Sequence, residues 1–127
     1  GHLKRAASLA GCIAEEMGLS KDRIDGVRLA ALLHDIGKLT IPVEILGKSV
    51  QLAENEFDVI KDHPGAGYEM LKGIEFPCPV AQVVLQHHER INGSGYPGGL
   101  SGNEKGFKFV EERYSNSKLF EEVLLKV

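Results

Sequence analysis

Six side chains have the types and placement to hold cations: His2, His34, Asp35, His63, His87 and His88. The set includes every histidine of the chain, and each stands near a helix end or a helix break in the hydrophobic pattern. The adjacent pair His34-Asp35 is its centre. Neighbours on a helix point about 100° apart, so the two cannot occupy one spot. They can serve neighbouring ions, the imidazole on one and the short carboxylate bridging both. Alone, the dipeptide reads more readily as a capped helix end facing water. Its setting favours the ligand reading, because Ala30-Ala31-Leu32-Leu33 precedes it and Gly37 follows where a left-handed cap wants glycine. Polar groups at the mouth of a packed helix are costly unless something binds them.

Mixed imidazole and carboxylate donors suit iron, manganese or zinc better than calcium or magnesium. Pairs at 34/35 and 87/88 favour two ions over one. A two-ion site fits phosphodiester hydrolysis, since the diester's charge repels hydroxide and the uncatalysed reaction is very slow. Two cations acidify a shared water, neutralise the phosphate and stabilise an in-line transition state. Lys38, about one turn past His34, is a natural phosphate contact, the alternative being a solvated lysine at the helix C-terminus. Glu89 and Arg90 are expected to be supporting or surface charges.

The elements that must position these groups are helical. Residues 3 to 17 place Leu3, Ala6, Leu9, Ala10, Ile13 and Met17 at helical spacing, and Gly18 ends that helix. Ser20 is the expected N-cap of a second helix running through Ile24, Val27, Leu29 and Leu33 to the His-Asp pair. Thr40-Ile41-Pro42 forces an extended segment, with a short turn over 43 to 46. A third helix is expected over 52 to 61, with Glu54 and Glu56 in its first turn, and His63-Pro64 breaks it. Helices follow from Pro64 towards Gly73 and from Val80 to His87-His88, joined by Phe76-Pro77-Cys78-Pro79. The glycine-rich stretch from Asn92 to Gly102 is expected to be an irregular, mobile loop beside the cation site, held by few buried contacts. A last helix is expected from Leu119 to Lys126.

Composition bounds the rest. The 127 residues, 43% of them hydrophobic, suffice for one domain with a core of its own. A net charge of −3 supplies no general basic field, which argues against DNA or RNA polymers as partners. Cys12 and Cys78 lie far apart without a CxxC spacing and are read as reduced thiols of a cytoplasmic protein, a disulfide being the alternative. No apolar run approaches a membrane span.

His34-Asp35-Ile36-Gly37-Lys38, His63-Pro64, His87-His88-Glu89-Arg90 and Gly95-Tyr96-Pro97 together resemble the HD-GYP family, a branch of the HD-domain metal phosphohydrolases. The resemblance implies an all-α, HD-domain-like helical bundle with a metal site at helix ends and a glycine-rich GYP loop. It implies two or three divalent ions, iron or manganese first and zinc or nickel next, and hydrolysis of cyclic di-GMP to pGpG or GMP. Carried across, His2, His34, Asp35, His63, His87 and His88 match metal ligands, Asp35 and Lys38 match catalytic groups, and Lys38 and Tyr96 match substrate contacts. Expected partners are a sensory or receiver domain and a protein that docks on the GYP loop. The alternatives are a degenerate, non-catalytic signalling module and a phosphohydrolase for another nucleotide. The family pattern continues with an Ala-Asp-x-x-Asp-Ala-like run, absent between Asn103 and Ser117, and some members use a glutamate upstream of the first histidine. Residues 1–127 are therefore expected to be one domain whose first helix is cut at its start and whose segment after about 102 is truncated or joined across missing residues. Without those acids, the six ligands fall short of two complete octahedral shells.

Overall fold

Residues 1–101, which the computed structural model describes, form six α-helices and a 3-10 turn. The helices are α1 (His2–Glu16), α2 (Lys21–Leu33), α3 (Val43–Leu46), α4 (Glu54–Lys61), α5 (His63–Leu71) and α6 (Val80–Gln86), and the 3-10 turn covers Ile36–Thr40. Among the described residues there is no strand, only a single bridge between Asn92 and Ser101. The expected helix from Leu119 and the segment where the aspartate run was sought lie outside the described residues. No helix among those described is long and apolar enough to cross a membrane. Cys12 and Cys78 are both free, so no disulfide joins them.

The breakers act where the sequence placed them. Gly18 adopts φ +71°, its N–H bonds the Glu15 carbonyl at 2.9 Å, and the Leu19 N–H bonds the Ala14 carbonyl at 3.1 Å. This is a Schellman closure of α1. Ser20 is the N-cap of α2 by backbone conformation, although its hydroxyl makes no capping bond. Ile41, before Pro42, is extended at φ −85° and ψ 132°. α4 starts at Glu54 because Ala53 is the extended N-cap, whose N–H donates to Glu56 Oε2 at 3.0 Å.

α2 is the central helix. Val27 and Ala31 pack with Ala7, Ala10 and Ala14 of α1, while Ala30 joins Leu71, Cys78, Val80 and Val84 of the α5–α6 layer. The buried face of α1 is made of small residues, Ala7, Ala10, Gly11 and Ala14. The expected face overlaps it at Ala10, with Ile13 and Met17 packed at its border, but Leu3 is 40% and Leu9 56% exposed. Small side chains let two helix axes approach closely, and the long Arg28 side chain lies over Gly11, where a Cβ would collide with it. Side-chain size is thus a poor guide to the inner face of this helix.

Gly37 also differs from expectation. It is not among the residues with positive φ, and lies inside the 3-10 turn rather than forming a left-handed cap. A Cβ there would run into the His63 carbonyl and the Gly67 amide, so glycine is required by the close approach of this turn to α5. That contact carries the segment after Asp35 to the first residue of α5, His63.

Gly37→Ala should lower stability by about 3 kcal/mol or more in urea unfolding, since backbone rather than a movable side chain blocks the new methyl. Ala10→Leu should cost about 1–3 kcal/mol in the same experiment. Leu9→Ala should stay within about 0.5 kcal/mol of the parent.

Candidate metal centre

Three histidines of the site share one local construction. His34 follows the last residue of α2, His63 follows the end of α4 and opens α5, and His87 follows the last residue of α6. Each Nδ1 lies beside the carbonyl three residues earlier: Ala31 at 2.7 Å, Ile60 at 2.6 Å and Val84 at 2.7 Å. These carbonyls belong to last helical turns, where carbonyl groups lack a helical N–H partner. A carbonyl only accepts, so each Nδ1 carries the proton and donates. A neutral imidazole then presents Nε2 as a bare lone pair.

Those lone pairs converge on Asp35. His63 Nε2 is 3.4 Å and His87 Nε2 3.9 Å from Asp35 Oδ1, and the two Nε2 atoms are 3.2 Å apart. His34 Nε2 lies 3.4 Å from the other oxygen, Oδ2. Asp35, His63, His87 and His88 each offer a ligand atom, all within 4.8 Å of one another. His63 is 1% exposed, so bulk solvent does not reach its ring. Ligand atoms on one octahedral ion with bonds of about 2.1 Å stand about 3–4.2 Å apart, a range that covers the 3.2, 3.4 and 3.9 Å separations among Asp35, His63 and His87. The donor set therefore fits a divalent cation.

Electrostatics point the same way. Burial pushes His87 down to about 3 despite its bond to Val84, and it pushes His88 down to about 4, helped by His63. Both rings are therefore neutral ligands at ordinary pH, and the positive charge the cluster lacks is not supplied by protons on them. Burial opposes ionisation of Asp35, but its contacts with His34, His63 and Lys38 outweigh it and hold the carboxyl far below its usual range. Contact with Asp35 raises His34 above its ordinary value, against burial, because a protonated His34 would donate its Nε2–H to that carboxylate.

The remaining expected residues are placed as follows. Lys38 Nζ is 2.8 Å from Asp35 Oδ2, so it is neither a free phosphate contact nor a purely solvated lysine. His2, exposed on the first turn of α1, lines the same cleft as Ala6, Ala31, His34, Asp35, Lys38, His87 and His88, a space of about 390 Å³. It stands outside the tight group of four, as does His34. Tyr96 is half-buried and stacks on His88, with ring centroids 4.6 Å apart and planes 18° from parallel. The glycine-rich loop thus lies beside the centre.

Glu89, expected as a supporting or a surface charge, is the former, at 3% exposure. Its Oε1 accepts the Gly98 N–H at 2.5 Å and its Oε2 the Leu100 N–H at 2.8 Å, so the loop has a buried anchor. An acid directly before a loop rich in uncommitted N–H groups was the available signal.

The depressed histidines set a pH dependence for the metal-free protein. Between pH 4 and 6.5 the unfolded chain binds protons at residues 87 and 88 that the folded chain does not. Stability therefore falls on acidification through that window, by up to about 1.4 kcal/mol per pH unit for each histidine. His34, shifted upward, contributes stability that is lost as pH rises through its folded value, above this window. Urea midpoints should be lower at pH 5 than at pH 7, and an equal or higher midpoint at pH 5 would contradict neutral, buried rings.

With the geometry in view, comparison with known proteins is informative. An HD domain family model matches residues 1–107. The chain is 46% identical over 102 residues to the cyclic di-GMP phosphodiesterase response regulator RpfG of Xanthomonas campestris pv. campestris, covering 79% of this chain and 27% of that protein. It is 44% identical over 105 residues to a cyclic di-GMP phosphodiesterase of Thermotoga maritima, covering 81% of this chain and 28% of the relative. It is 39% identical over 101 residues to the 3'3'-cGAMP-specific phosphodiesterase 1 of Vibrio cholerae, covering 80% of this chain and 23% of the relative. The chain spans about a quarter of the length of these relatives. By the family match and the motif-bearing site together, the chain belongs to the HD-domain family, in its HD-GYP branch.

Proposed function

We propose that this domain is a metal-dependent phosphodiesterase that hydrolyses a cyclic dinucleotide, cyclic di-GMP first, to pGpG or GMP. The observation that carries the reading is the convergence of imidazole lone pairs on the carboxylate of Asp35 at the floor of an open cleft. The relatives named as phosphodiesterases of cyclic dinucleotides support the substrate class.

In this reading His63, His87 and His88 with Asp35 would hold one ion, and Asp35 with His34 and His2 would hold part of a second. The soft imidazoles with a carboxylate favour iron or manganese over magnesium, with zinc or nickel next. Bound divalent ions would supply charge neutralisation for the diester and acidify the attacking water. The chain's own groups do the positioning. Asp35, kept ionised, spans the two half-sites. Lys38 exchanges its contact with Asp35 for a phosphate oxygen and so stabilises charge developing on the phosphate. Tyr96 flanks the cleft and provides an aromatic face for a nucleobase.

The cleft suits part of a substrate on this scale, and residues from the rest of a longer protein would complete it. A sensory or receiver domain as input, a protein docking on the loop, and a cytoplasmic setting belong to the same proposal. The Vibrio cholerae relative named for 3'3'-cGAMP favours testing cyclic GMP-AMP as a second substrate.

Incubation of the purified protein with cyclic di-GMP or 3'3'-cGAMP and Mn(II) or Fe(II), followed by chromatography of the nucleotides, tests the reading. Linear dinucleotide or mononucleotide should accumulate. Asp35→Ala should abolish turnover and weaken metal binding while circular dichroism retains the helices, because the apolar core carries the fold. Lys38→Ala should lower kcat/KM by about 10- to 100-fold, the loss of one charge-assisted hydrogen bond. No product with any divalent ion would leave a non-catalytic signalling module, and turnover confined to other nucleotides would transfer the domain to a different substrate class.

A further inference from the structure

His34, His63 and His87 are each oriented by an Nδ1 bond to a helix carbonyl. His88 has no such bond among the described residues; its ring lies against His87 and His63, with centroids 4.1 and 5.1 Å away, and the one ring stacked on it from outside the histidine cluster is Tyr96. Tyr96 in turn sits on a loop with little side chain of its own to bury. What holds it is main-chain bonding to the ligand-bearing segment. The Tyr96 N–H donates to the His88 carbonyl at 3.2 Å, and the span just beyond it is fastened at Gly98 and Leu100 to the two oxygens of Glu89. Gly95 lies so close to the backbone of His88, Glu89 and Arg90 that a Cβ would collide with it. The loop is folded back onto the residues that deliver the ligands.

We propose that Glu89 is a positioning residue: by clamping the loop at Gly98 and Leu100 it holds Tyr96 against His88, and this fixes the plane of the His88 imidazole at the metal centre. The inference rests on the metal-dependent reading of the site and extends it to a carboxylate that touches neither metal nor substrate. Glu89 lies in the chain immediately after His88, yet its carboxylate faces the loop. The two consecutive residues therefore divide the work, one facing the cations and one holding the ring that packs on its neighbour.

The test uses the intact protein and two readouts. The first is Mn(II) affinity by chelator competition. Removing groups that orient a ligand typically weakens metal binding about 10- to 100-fold, and Glu89→Gln, which keeps the shape but replaces one acceptor by an NH2 facing a loop N–H, should weaken it by about tenfold. Tyr96→Leu, which leaves the buried carboxylate in place, should weaken it by a similar factor. The double variant should bind within about twofold of the weaker single variant, because both act through one ring. The second readout, in metal-free protein, is the chemical shift of the His88 ring protons, which the stacked phenol moves upfield. Both single variants should release that shift. Glu89→Asp, with the charge kept and the reach shortened, serves the same comparison if circular dichroism shows the glutamine variant unfolded.

Parental Mn(II) affinity in Tyr96→Leu, losses that multiply in the double variant, or unmoved His88 ring protons in the Glu89 variants would each overturn the positioning role. A parent protein that hydrolyses no cyclic dinucleotide would instead sink the hydrolytic reading and leave the ring-proton result standing.

Discussion

Too many acceptors in one small volume is the constraint on which the rest of this structure depends. Three imidazoles turn Nε2 towards Asp35, and two of those nitrogens face each other at 3.2 Å, one of them on the buried His63. Unpaired polar atoms in such surroundings cost free energy, more so when like acceptors oppose one another. A proton on His87 could bridge the pair, but burial disfavours a charged ring there. A divalent cation relieves all of the acceptors at once. The cluster is therefore paid for in folding and repaid by binding, which is how a metal site of this kind couples to stability.

The device that creates the constraint is repeated and local. At the ends of α2, α4 and α6 a histidine bonds back to a carbonyl of the last turn. One bond does two things: it satisfies a helix-end carbonyl and selects the tautomer with its free nitrogen pointing away from the helix. The C-terminal ends of the three helices also carry partial negative charge, which favours a cation in the space they border. Helix termination and ligand presentation are the same event in this fold.

That coupling explains what the sequence made legible. Histidines at helix ends and the His34-Asp35 pair could be read because a change of periodicity marks each end, and the structure brings His34, Asp35, His63, His87 and His88 into one neighbourhood. The inner face of α1 is legible only in part: Ala10 is buried and Ile13 and Met17 pack against the core as expected, whereas Leu3 and Leu9 lie outside. Close helix packing selects alanine and glycine instead, leaving Leu9 outside. Gly37 was assigned to a left-handed cap because a single strand of sequence cannot show that a second helix passes beside it. Sequence leaves Glu89 between a supporting and a surface role for a related reason. Its partners are main-chain N–H groups nine and eleven residues away, which carry no residue-type signature.

The close contacts at Gly37 and Gly95 show how the geometry is transmitted. Asp35 ends the approach of α2, and only a turn without a side chain at residue 37 lets the next stretch lie against the backbone of His63 and Gly67. On the opposite side, only a residue without a side chain at 95 lets the loop lie against the backbone that follows His88. Each glycine replaces what would have been a layer of side chains with direct backbone contact, so the distances across the centre are set by main-chain atoms, which have fewer soft torsions than side chains do. A site that must hold several acceptors within hydrogen-bond distance of one carboxylate needs that stiffness. Without the cation, their mutual repulsion would push flexible supports apart.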